Sequence, residues 1–184
     1  YNNYFIYFNF FVFSMLLLVM SSNFLVMFFG WELVGLSSYL LISFWSKKPS
    51  AAKAGNKAFI LNRVGDFGFL VGLMVILNTF NTFDFYTVLK SASDVPENTV
   101  TIISLFLLLG AFGKSAQFPL FSWLPDAMEG PTPASALIHA ATMVTAGVFM
   151  LVRISPILQY SKIAGMVIVL IGLLTALLAA FSAI

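Results

Sequence analysis

Three side chains could do chemistry in this chain: Glu32, Lys114 and His139. Each stands in an otherwise apolar run. Lys114 follows Gly113 at the start of GKSAQFPLFSWLPDAMEGPTPASALIHAATMVTAGV (113–148), Glu32 lies between Gly30 and Gly35, and His139 is the chain's one histidine. Ionisable groups at membrane depth are costly and mark ion or proton paths by default. A carboxylate, an amine and an imidazole would make a proton relay. The bland alternatives are a lysine that snorkels to the surface, a glutamate protonated and hydrogen-bonded within the packing, and a hydrogen-bonded core histidine. Lys114 has no acidic residue within four positions, so its counter-charge must come from another helix. Glu32 and Asp66 are the intramembrane carboxylates that could supply it. Zinc or copper is disfavoured, because no second histidine and no cysteine exists to complete a ligand set.

A second set of residues could support that relay. Arg63 and Asp66, three apart on a helix, share a face and can pair. Asp126 and Glu129 lie near the start of the helix that carries His139, where the positive helix end favours their ionised forms. Gly113 and Pro119 mark a helix break. Pro119 cannot donate to the Ser115 carbonyl, and its ring clashes there. A freed carbonyl beside Lys114 needs protein or a water-lined cavity as its partner.

Composition sets the solvent. The chain is 60% hydrophobic and 9% charged, with a mean hydropathy of +0.99, whereas soluble domains carry about 25% charged residues. The reading is an all-α polytopic membrane protein of about six transmembrane helices, one of them discontinuous. A net charge of +2 and no basic cluster interleaved with aromatics argue against a nucleic-acid partner. No cysteine is present to ligate an iron–sulfur cluster, and no glycine-rich phosphate loop occurs. Redox chemistry linked to this chain is therefore expected elsewhere. The first residue is Tyr1 and the last, Ile184, sits inside an apolar run. The chain is expected to be a piece of a longer protein.

The spans that must position these residues read as 5–20, 24–44, 58–80, a broken span over 100–128, 133–153, and a last one from Ile163. Asn23 is expected to cap the second span or to turn the chain before it. Lys47, Lys48, Lys53 and Lys57 form a basic loop that should face the cytoplasm or matrix. Phe83 to Leu89 reads as a short helix on the opposite surface. Val100 to Gly113 is too short to cross alone and needs Phe118 to Met128 as its second half. Thr132 is the expected N-cap of the fifth span, with Pro133 at its first helical position. Arg153 is the expected outer anchor of that span. Gly65, Gly68 and Gly72 read as a close-packing strip.

Three stretches, WELVGLSSYLLISFW (31–45), KAFILNRVGDFGF (57–69) and the segment 113–148, closely resemble the subunit 5 family of NADH:ubiquinone oxidoreductase, respiratory complex I. The wider family includes two sister subunits and the large subunits of Mrp-type cation/proton antiporters. The resemblance implies a bundle of two inverted five-helix repeats. Residues 1–153 would be the first repeat, and 154–184 the first span of a second, truncated one. It implies proton-relay roles for Glu32, Lys114 and His139, with Arg63, Asp66, Asp126 and Glu129 as a supporting charge network and Gly113 and Pro119 at the helix break. Glu32 and Lys114 are expected to form a switchable ion pair.

The implied function is a proton-translocating membrane-arm subunit that couples NADH:ubiquinone oxidoreduction to pumping, with no redox chemistry of its own. FMN, iron–sulfur clusters, NADH and ubiquinone would belong to other subunits. The implied partners are other membrane-arm subunits, especially an adjacent antiporter-like one, together with lipids. The implied location is the mitochondrial inner membrane, with the bacterial plasma membrane as runner-up. The rivals are a multisubunit Na+/H+ antiporter or related hydrogenase subunit, and a non-pumping membrane scaffold.

Overall fold

The structure is a computed structural model that describes residues 2–182, and all its regular elements among those residues are helical. Helix α1 (Asn2–Val19) runs into α2 (Phe24–Ile42) through a tight turn. Asn23 caps α2 by accepting from the Val26 N–H at 2.8 Å, as its residue type leads one to expect. Helix α3 (Pro49–Phe80) is much longer than the span expected at 58–80. Pro49, whose missing N–H costs nothing in a first turn, starts it. Lys53 and Lys57 therefore lie on helix and not in a loop. Asn81 closes α3 in the left-handed conformation, which asparagine tolerates.

Asp84 caps a short helix, α4 (Phe85–Ser91), two residues later than expected because its carboxylate accepts from the Thr87 N–H at 2.9 Å. A 3₁₀ turn (Ala92–Asp94) leads to α5 (Glu97–Lys114). Beyond Lys114 the expected second half-helix is absent. Residues 115–125 form successive turns, followed by a 3₁₀ turn at Asp126–Glu129. The break also begins before Pro119: Ser115 is the C-cap, and Ala116 takes a positive φ of 49°. The Gln117 N–H returns to the Phe112 carbonyl at 3.0 Å, the long bond of a Schellman stop.

The fifth span is composite: α6 (Thr132–Ser135), a π-helical stretch (Ala136–Thr142) and α7 (Met143–Arg153). Pro131, and not Thr132, occupies its N-cap position, with no side-chain cap. Helix α8 (Ser155–Leu158) and α9 (Lys162–Ser182) complete the described chain. The expected last span agrees with α9 as far as Ser182; Ile184 lies outside the described residues. Among the described residues, six helices or composite helices are long and apolar enough to cross a membrane.

Among lipid tails no hydrophobic drive holds helices together, so close packing and polar contacts must do it. The glycine strip of α3 does so. A Cβ on Gly68 would stand 2.7 Å from Leu109 Cδ2, and one on Gly65 would stand 3.0 Å from the Gly113 α-carbon. Buried Trp31, Phe69, Leu107, Trp123 and Met143 fill the centre of the bundle. Helix α9 stands at its edge and buries only Ala164 among its described residues. Thr101 on α5 hydrogen-bonds Ser161 just before α9, and Thr175 accepts from the Phe118 N–H at 3.0 Å.

Candidate functional site: a buried lysine at a helix end

The centre of the site is set by backbone contact. Because Gly65 and Gly113 have no side chains, α3 and α5 approach closely, and the next residues on each helix, Asp66 and Lys114, fall side by side. Lys114 Nζ lies 3.5 Å from Asp66 Oδ1, with side-chain exposures of 0% and 5%. Among the described residues Nζ meets no acceptor in hydrogen-bond geometry, so the contact is an ion pair. Lys114 neither snorkels nor faces solvent. The same Asp66 oxygen accepts from Trp31 Nε1 at 2.8 Å. Lys114 Nζ also stands 5.8 Å from the centre of the Trp31 ring, within cation–π range.

The pairing differs from the sequence expectation. Glu32 pairs with Arg63 across α2 and α3, not with Lys114. Arg63 in turn leaves Asp66, its helix neighbour, to Lys114. The physical reason is depth. The Arg63 side chain is 48% exposed and that of Glu32 21%, so these two sit toward the rim while Asp66 faces inward. Glu32 is still close enough to feel the charges of Asp66 and Lys114 as well as that of Arg63. The four groups form one electrostatic cluster on α2, α3 and α5.

The helix end itself is satisfied by protein. Trp123 Nε1 donates to the Gly113 carbonyl at 3.1 Å, and Gln117 Nε2 donates to the Ser115 carbonyl at 3.3 Å. Ser115 Oγ donates to the Val144 carbonyl on α7 at 2.7 Å. Thus the carbonyl expected to be freed at Ser115 has a partner, and the Trp123 indole also serves the lysine's own turn.

His139 lies in the π-helical stretch, which the sequence reading took as ordinary helix. Thr142 Oγ1 donates to the Leu137 carbonyl at 2.7 Å across this wider turn. The wider turn changes which residues share the face of His139. Its ring centre is 5.9 Å from that of Trp123. Among the described residues neither ring nitrogen makes a hydrogen bond of ordinary geometry, although the backbone of Ala127 lies near. Trp123 therefore stands against both the Lys114 helix end and the imidazole.

Asp126 and Glu129 do not join this buried cluster. Asp126 pairs with Lys57 at 2.7 Å, and Glu129 accepts from Ser50 Oγ at 3.1 Å, both at the surface. Trp31 and Trp123 are the residues that sequence reasoning missed. A buried indole N–H needs an acceptor, and that requirement beside Glu32 and after the helix break was the available signal.

Such an arrangement defines a membrane-helix bundle with ionisable groups buried in its core. The chain matches the family described as "NADH:quinone oxidoreductase/Mrp antiporter, TM" over residues 21–184, and it belongs to that family. It is 57% identical over 96% of its length to NADH-ubiquinone oxidoreductase chain 5 of Rhizopus stolonifer, covering 27% of that protein. It is 53% identical over 98% of its length to NADH-quinone oxidoreductase subunit L of Neisseria meningitidis serogroup B, covering 29% of it. Among solved structures it resembles the Mrp complex from Dietzia sp. DQ12-45-1b, with a TM-score of 0.80 and 31% identity. That match covers 84% of this chain and 17% of the other. The chain thus spans under a third of the length of these curated relatives.

Proposed function

We propose that this chain is part of a proton-translocating membrane-arm subunit of a respiratory NADH:ubiquinone oxidoreductase. Residues 1–153 would be the first antiporter-like repeat, and 154–184 the opening span of a second. The observation that carries this reading is the fully buried Lys114 ammonium, 3.5 Å from Asp66 at the end of α5. A charge held that deep at a helix end, with its anion on a neighbouring helix, is costly and marks an ion or proton path. In the proposed cycle Asp66 holds Lys114 charged. Glu32, exchanging partners between Arg63 and the Lys114–Asp66 pair, weakens or strengthens that hold. An ammonium left in a dry core without its anion favours release of its proton. His139, beyond Trp123, is the acceptor on the next helix.

The magnitudes allow it. Two unit charges ~4 Å apart at an effective dielectric of ~20 attract by ~4 kcal/mol. Moving a proton against ~150 mV requires ~3.5 kcal/mol. Opening one such pair is thus comparable to the work of one translocation. NADH, FMN, iron–sulfur clusters and ubiquinone would belong to partner subunits, and the location would be the mitochondrial inner membrane or a bacterial plasma membrane. Homologue names from both settings support it.

The test is NADH-driven proton uptake by the intact membrane assembly carrying Lys114→Met or Asp66→Asn. Loss of uptake in both is expected; full uptake in both would overturn the relay. A second reading, a Mrp-type antiporter subunit, is favoured by the similarity to the Dietzia complex. Co-purification of flavin- and iron–sulfur-bearing subunits separates the two, because only the oxidoreductase should carry them.

A further inference from the structure

Helix α2 meets Lys114 with a residue that has no side chain. Gly35 is buried and lies three residues beyond Glu32, on the same face of the helix. A Cβ built on Gly35 would stand 2.7 Å from Lys114 Nζ and 4.0 Å from Asp66 Oδ2, and among the described residues no other atom of a neighbouring helix comes within 4 Å. The volume that a side chain would take is the volume the ammonium takes. Other glycines of the bundle face different neighbours: Gly30 the Leu18 backbone, Gly68 the Leu109 side chain, and Gly65 the Gly113 backbone. Those contacts bring helices together, whereas Gly35 makes room for a charge.

We propose that Gly35 is a positioning residue whose missing side chain seats the Lys114 amine between α2 and α3, at ion-pair distance from Asp66. The proposal rests on the proton-carrying role of Lys114. Nζ is the free end of a flexible chain, so a methyl on Gly35 moves the amine and not the helices. The charges around the amine then stay in place: Asp66, still held by Trp31 Nε1, and Glu32 with Arg63. Gly35→Ala therefore alters the geometry of the pair while leaving every charge present.

The experiment uses the intact membrane assembly and compares Gly35→Ala, Gly72→Ala, Lys114→Met and the double variant Gly35→Ala/Lys114→Met. Gly72→Ala is the steric control, since its Cβ would stand 3.2 Å from Leu107 Cδ2, the far end of a flexible side chain away from the ion pair. Protons taken up per NADH oxidised should fall at least about two-fold in Gly35→Ala and stay unchanged in Gly72→Ala. Methionine is one atom shorter than lysine and carries no amine. If Gly35→Ala lowers the amount of assembled complex, adding Lys114→Met should restore it. Wild-type stoichiometry in Gly35→Ala, alongside lost pumping in Lys114→Met, would overturn the seat while sparing the relay. An assembly defect that Lys114→Met does not relieve would also overturn it. Full pumping in Lys114→Met would remove the relay, and the seat with it.

Discussion

Gly65 on α3 and Gly113 on α5 touch backbone to backbone, and this contact places the ion pair. A Cβ on Gly65 would lie 3.0 Å from the Gly113 α-carbon and 3.1 Å from the Leu109 carbonyl oxygen. Neither is a flexible side-chain end that could turn away. Gly65→Ala must therefore push α3 and α5 apart, at a cost of about 1–3 kcal/mol. Because Asp66 and Lys114 follow directly, the separation also lengthens the pair. The expected outcome is less assembled complex and weakened proton uptake in what remains, read by detergent melting of the complex and by vesicle acidification. Unchanged melting would mean that the two backbones are not in contact.

Trp31 is expected to matter as much for its N–H as for its bulk. Its indole donates to the Asp66 oxygen that faces Lys114. Phe69 packs edge-on against the ring, with centroids 5.2 Å apart. Trp31→Phe keeps most of that packing and removes one hydrogen bond to a carboxylate, worth ~1.5–3 kcal/mol. Pumping should slow several-fold with modest loss of assembly. Trp31→Leu should lose both, because the large ring is gone as well. Equal behaviour of the two variants in pumping and in assembly would argue against the hydrogen bond.

The membrane class, the rough number of apolar helices and the list of charged residues were legible because apolar length and stranded charges are one-dimensional signals. Asn23 and the α3 glycines could be read in the same way, since caps and small-residue strips act locally; the Asp84 cap was missed, and α4 begins two residues late for it. The pairing was not legible. Helix period places Arg63 and Asp66 on one face, but depth decides that Arg63 turns to Glu32 and Asp66 to Lys114. Proline chemistry pointed to a break at Pro119, whereas α5 stops at Lys114, five residues earlier, on a backbone device centred on Ala116. The π-helical stretch at His139 adds a residue to the turn, and no side-chain pattern in 132–153 announced it.

That stop at Ala116 carries a prediction of its own. A left-handed φ of 49° in a residue with a Cβ is strained, by ~1–2 kcal/mol relative to glycine. Part of this is offset because glycine has more freedom to lose on folding. Ala116→Gly should raise stability by about 0.5–1 kcal/mol, seen as a small upward shift in the melting of the assembly. No change in the ion pair is expected, since Gln117 N–H to Phe112 carbonyl already fixes the turn. A lower melting temperature would contradict the conformation assigned to residue 116.

The last prediction concerns pH at the membrane surface, where α4 depends on one carboxylate. Asp84 accepts from both the N–H and the hydroxyl of Thr87 at 2.9 Å. The backbone N–H, first, and the hydroxyl, second, hold the carboxyl below its usual value of 3.8. The sign follows directly. A carboxyl depressed in the folded state binds its proton more readily once α4 unravels, so the cap contributes above the ordinary carboxylate range and is lost as pH falls through the folded value. Backbone amides of α4 should therefore stay equally well protected, after correction for intrinsic exchange, from neutral pH down to about 5. Below about pH 4 their protection should fall. Asp84→Asn retains an acceptor for the Thr87 N–H and should remove this acid sensitivity. Asp84→Ala should loosen α4 at every pH, with amide exchange faster by a few-fold, because it deletes the cap itself. Acid loosening that persists in Asp84→Asn would assign the effect to Asp94 or Glu97, the other carboxylates on the surface segment that follows α4.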